Sequence, residues 1–115
     1  MEVHEKKRVA MSFDAVWSGL QSRLHPGVVI PNWTRDNGLI GDDFTVVEIG
    51  PSYVAVASPG AKGIQRIRAG EFEKVAPVWD QYLSGGLPRH EVRDMTRFSK
   101  YVISILHWAN TEAAE

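Results

Sequence analysis

The apolar residues of this chain change their period twice, and that change limits the possible folds more than any other feature. From Ser12 to Leu24, Phe13, Val16, Trp17, Leu20 and Leu24 recur three and four residues apart, the spacing of one helix face. Between Phe44 and Arg68 the runs are short, β-branched and bounded by turn residues, as strands are. From Gly70 onward Phe72, Val75, Trp79, Tyr82 and Leu83 restore the helical stripe, and a second stripe of Phe98, Tyr101, Val102, Ile105, Leu106 and Trp108 follows between Thr96 and Ala109. Helices and strands that occupy separate stretches of one chain pack as an α+β fold. The expected order is an N-terminal helix, a short strand, a three-stranded antiparallel meander, and two or three C-terminal helices packed on the sheet.

Turn formers set the boundaries. Ser12 is placed to cap the first helix and His25-Pro26-Gly27 to end it. Val28 to Ile30 reads as a short strand that Pro31 ends or confines to a sheet edge, because proline has no N–H to give to a ladder. Asn32 to Asp43 holds Asn32, Asp36, Asn37, Gly38, Gly41, Asp42 and Asp43, and reads as a long loop carrying Trp33. The meander is then Phe44 to Ile49, Tyr53 to Ala57 and Ile64 to Arg68, turning at Gly50-Pro51-Ser52 and at Ser58 to Gly63. Pro77 must kink the next helix or restart it, Gly85-Gly86 ends it, and Pro88 to Asp94 has the makings of a short helical turn.

At 115 residues the chain has room for one core, so residues 1–115 read as a single domain with 1–11 and 110–115 frayed. Cysteine is absent, which excludes disulfides, thiolate metal sites and thiol nucleophiles. The charged start, with Glu2, Glu5, Lys6, Lys7 and Arg8, lacks the apolar run of a secretory signal, and no stretch is long enough to span a bilayer. A cytoplasmic protein without membrane contact is the expectation.

No motif for catalysis, metal or a cofactor is legible. His90 and Asp94 would share a helix face, but a zincin-type site needs a second histidine where Asp94 stands, and Arg89 and Arg93 offer ordinary ion pairs to the acids beside them. Asp42 and Asp43 are adjacent in sequence and point to opposite faces on entering a strand. No serine sits in a nucleophile elbow. The Ser58 to Gly63 loop has the small residues and the lysine of a phosphate cradle, yet it joins two strands where a P-loop leads into a helix.

Charge distribution is more informative. The whole chain carries a net charge of −1, but residues 62–100 hold eight basic against five acidic side chains. Lys62, Arg66, Arg68, Arg89, Arg93, Arg97 and Lys100 form a candidate nucleic-acid-binding set, in which Arg66 and Arg68 share one strand face by the two-residue period. Arg93, Arg97 and Lys100 would share a helix face if one helix carried all three. The same residues also serve as the solvated surface that any sheet and helix show to water. Trp33 stands apart from the other tryptophans, in a polar loop beside Arg35. It is placed to close the end of the core, to stack on a ligand, or to anchor a partner.

The stretch from Phe44 to Trp108 resembles a small bacterial α+β domain found alone or fused to restriction-type nucleases and in mobile-element genes. The shared positions are Phe44 and Val46, Val54 to Ala57, Ile67 before Glu71 and Phe72, then Trp79, Tyr82, Gly85 or Gly86, Arg89, and a closing Ser99-x-Tyr101 with Leu106. The resemblance rests mostly on packing positions, implies a shared fold and brings no catalytic residues. The first expectation is therefore a non-enzymatic binding domain that contacts nucleic acid or a nucleic-acid-processing protein through residues 62–100. A small-molecule site near Trp33, Arg35, Asp42 and Tyr53, and a homodimer formed through an apolar helix face or through Val28 to Ile30, are the alternatives.

Overall fold

The computed structural model describes residues 13–59 and 63–114. The expected Ser12 cap, the N-terminal eleven residues and Lys62 lie outside them. Helix α1 (Phe13–Arg23) leads to strand β1 (Val29–Ile30), a small hairpin of β2 (Trp33–Thr34) and β3 (Gly38–Leu39), and the meander β4 (Phe44–Ile49), β5 (Tyr53–Ala57) and β6 (Ile64–Arg68). Helix α2 (Ala69–Val75), a 3₁₀ turn (Ala76–Val78), α3 (Trp79–Ser84), α4 (Arg89–Met95) and α5 (Ser99–Ala114) complete the chain. The α+β order read from the periods is the order observed. The short strand joins the meander as a fourth, edge strand, giving an antiparallel sheet in the order β1-β4-β5-β6.

Alternation along the strands divides the sheet into two faces. Phe44, Val46, Val54, Val56 and Ile67 point inward and pack with Leu20, Phe72, Val75, Tyr82 and Val92 from the helices, all of them buried. A bulge between Val46 and Glu48 inserts one extra residue into β4, so that Glu48 points outward and Ile49 inward. Helix α1 clamps the β4–β5 turn: Trp17 Nε1 donates to the Pro51 carbonyl at 3.0 Å and Gln21 Nε2 to the Gly50 carbonyl at 3.1 Å.

Helix α5 runs through the middle of the helical layer. Tyr101 to Leu106 are buried on every side of it. The sequence pattern promised a single apolar stripe, but an unbroken run of buried residues marks a helix enclosed by neighbours all round. Its backbone stays helical to Ala114, past the Asn110 expected to begin a frayed tail. The residue that looks out of place, Ser104, is fully buried and serves the Trp33 hairpin.

Pro77 separates two helices, because the missing N–H and the ring are accommodated in a 3₁₀ turn. Gly85, with φ at +91°, then ends α3, and the Gly86 N–H bonds back to the Gln81 carbonyl at 2.9 Å. Thr96 is extended and divides α4 from α5, its hydroxyl accepting the Phe98 N–H at 3.1 Å. Arg93, Arg97 and Lys100 consequently stand on a helix, a linker and another helix, and share no single helix face.

Candidate functional site

The sheet face turned away from the helical core is open, and its residues fall into cross-strand rows. At one end Val29, Thr45, Ala57 and Ile64 stand opposite one another across all four strands. Val29 is 52% exposed and Ile64 59%, so no described element covers this row. The next row is Glu48, Ala55 and Arg66. Arg66 reaches Glu48 at 3.8 Å across the intervening strand. Because the pair bridges over Ala55, that residue is 1% exposed although it points outward, and only a small side chain fits beneath it.

The last row pairs Tyr53 with Arg68. Tyr53 donates its hydroxyl proton to the Glu48 carboxylate at 2.6 Å, and the Arg66 guanidinium lies over the Tyr53 ring at 5.3 Å. The carboxylate holds the phenolic proton in place and raises the Tyr53 pKa, a shift the nearby Arg66 partly opposes. Gly50 makes room for this arrangement, since a Cβ there would overlap the Tyr53 ring. Arg68 is exposed and makes no ion pair with a described residue. Ser52, Tyr53, Arg66, Arg68, Ala69 and Gly70 together line an open recess at this end of the face.

The remaining basic candidates are spread over the helical side. Arg89 is half-buried and donates to the Ser99 hydroxyl at 3.0 Å, with its pKa lowered mainly by burial and further by Arg93. Its guanidinium ties the start of α4 to the start of α5, which is a structural role. Arg97 lies over the Phe98 ring at 4.9 Å and Lys100 over Tyr101 at 5.2 Å. Glu71 has its pKa lowered by a hydrogen bond from Thr96 and by Lys74 and Arg97, so part of the positive charge here is already matched within the fold. Of the six described residues among those singled out from the sequence, Arg66 and Arg68 line one recess together.

Trp33 is committed internally. The loop expected from Asn32 to Asp43 contains the β2–β3 hairpin, and Trp33 docks it on α5. Its ring stacks on His107 with centroids 3.7 Å apart and planes within 5°, and Tyr82 meets it edge-on. The Trp33 N–H donates to Ser104 Oγ at 3.0 Å, and the same hydroxyl donates to the Trp33 carbonyl at 3.4 Å. Arg35 is engaged beside it, with its N–H on the Tyr82 hydroxyl at 2.9 Å, Nε on the Leu83 carbonyl at 3.2 Å and Nη1 on Asp36. Tyr53 stands at the far end of β5 on the other face, so Trp33, Arg35 and Tyr53 do not converge.

Sequence reasoning paired Arg66 with Arg68 but set Tyr53 beside Trp33. The registers Tyr53 with Arg68 and Ala55 with Arg66 would have joined them, since antiparallel pairing of β5 with β6 brings the start of one strand to the end of the other. Among the described residues no three histidine, aspartate or glutamate side chains are grouped to hold a metal ion. No helix among them is long and apolar enough to cross a membrane. No protein-family model, no curated protein and no solved structure matches the chain, so the reading of this surface rests on its own geometry.

Proposed function

We propose that this domain is a non-enzymatic binding module whose open sheet face takes single-stranded nucleic acid. The observation that carries the reading is the convergence of Tyr53, Arg66 and Arg68 on one recess at the end of the exposed antiparallel face, where the first residues of α2 close it. Single strands bind such surfaces by laying bases on aromatic rings and phosphates against guanidinium groups, because every base has a π-face and every nucleotide a charge. Tyr53 supplies the ring, Arg68 an uncommitted cation, and Arg66 a cation that is already aligned over the ring. The apolar row of Val29, Ala57 and Ile64 extends the same face for a further base or sugar.

Two phosphate contacts set the magnitude. Binding to a single strand should weaken with salt at a slope of about −1.4 in log K against log salt. Fluorescence anisotropy of a labelled single-stranded oligonucleotide, measured at low and moderate salt, tests this. Reversal of Arg66 and Arg68 to Glu should abolish binding, and Tyr53→Ala should weaken it roughly tenfold or more, the loss of a single stacked base. Reversal of Arg93 and Arg97 should leave it unchanged. Affinity indifferent to salt and to the Arg66 and Arg68 reversals would remove the proposal.

A second reading has one observation of its own, the exposure of Val29 and Ile64 in a single cross-strand row. A protein partner, such as a nucleic-acid-processing enzyme or a second copy of the chain, would cover that row. Self-association lost on changing Ile64→Lys, seen by sedimentation, would support the homodimer.

A further inference from the structure

The helical side carries a groove of about 600 Å³ that the sheet-face reading does not use. Three walls form it: helix α1, the C-terminal part of α5, and the 3₁₀ turn with the start of α3. Phe13, Val16, Leu20, Pro77, Trp79 and Leu106 give it an apolar lining. Its size lies within the range of about 300 to 1,000 Å³ that encloses small organic ligands.

One residue of the wall says what such a ligand would carry. Arg23 reaches the groove from the last turn of α1, and its guanidinium is fixed there on two sides. Nη1 donates to the Ala109 carbonyl at 2.6 Å, and the group lies over the Trp108 ring at 5.1 Å. Among the described residues no carboxylate pairs with it. A guanidinium has five N–H donors in a fixed fork, and among the described residues only the Ala109 carbonyl takes one, which leaves the others to meet an anion. Asp80 in the facing wall disfavours a ligand with a second negative charge.

We infer that this groove binds a singly anionic amphiphile, a carboxylate on an apolar body, with the head group on Arg23 and the body between α1, Trp79 and Leu106. The site stands apart from the nucleic-acid reading, since groove and sheet face lie on different sides of the core.

Decanoate and decanol, equal in chain length and different in charge, are the probes. Each is titrated below its aggregation limit into the full chain, followed by tryptophan fluorescence and by amide shifts. Decanoate should bind about tenfold more tightly than decanol, as a charge-assisted hydrogen bond gives, and Arg23→Met should erase that difference. Gly19→Leu should abolish decanoate binding without unfolding the chain, because a Cβ at Gly19 meets no atom within 4 Å and leucine favours the helix. Equal binding of the two probes, no binding of decanoate, or decanoate binding that survives Gly19→Leu would overturn the inference. So would a dimer of the unliganded chain that Gly19→Leu dissociates, which would make the groove an interface between copies.

Discussion

Single residues here act by holding backbone elements in place, and three of them make separable claims. Gly85 sits at a φ of +91°, and a Cβ added there would come within 2.5 Å of Arg35 Nη2. Gly85→Ala should therefore lower stability by about 1–3 kcal/mol, a cost that combines left-handed backbone strain with displacement of a guanidinium. A shift of the urea midpoint without a change in slope checks it. Ser104 is fully buried and bonds both backbone groups of Trp33. Ser104→Ala would leave the Trp33 N–H without that acceptor and should cost about 1–3 kcal/mol, with faster hydrogen exchange in β2 and β3 as the local sign. His107, stacked on Trp33, has its pKa lowered by burial. The unfolded chain then binds its proton more tightly than the folded one does. Its contribution to stability is complete above the unfolded value of about 6.5 and is lost as pH falls through the lower folded value. Denaturation midpoints taken between pH 7.5 and 5 should fall more steeply for the native chain than for His107→Phe, which keeps a stacked ring and cannot titrate.

At the scale of elements, what the sequence made legible was period and punctuation. The meander and the end of α3 at Gly85 follow from residues whose backbone chemistry admits few alternatives, whereas Pro77 marked a break and left open a kink or a split, which the 3₁₀ turn decides. The β2–β3 hairpin was hidden because its strands are two residues each, too short to show alternation, and because the residues that hold it, Ser104 and His107, lie about seventy positions away. Ser104 also broke what would otherwise read as a continuous apolar run. The candidate surface was half legible. A two-residue period fixes that Arg66 and Arg68 face one way, but only the register of β5 against β6 puts Tyr53 beside them. Strand β6 lies at an edge of the sheet, and its two arginines also discourage pairing with a foreign strand. Replacing both with Val should therefore promote association of the chain, measured by light scattering over time.

For the whole molecule, a nearly neutral total conceals a division of labour between the two sides of the core. One side encloses α5 and commits Arg35, Arg89 and Ser104 to internal contacts. The other is an exposed sheet face on which Tyr53, Arg66 and Arg68 line one recess, and net charge says nothing of so local a patch. The most direct measurement is an amide-shift titration of the labelled chain with a short single-stranded oligonucleotide at low salt. The account predicts perturbations concentrated along β5 and β6, centred on Tyr53, Arg66 and Arg68 and reversed by added salt. Shifts confined to α4 and α5, or none at all, would contradict it.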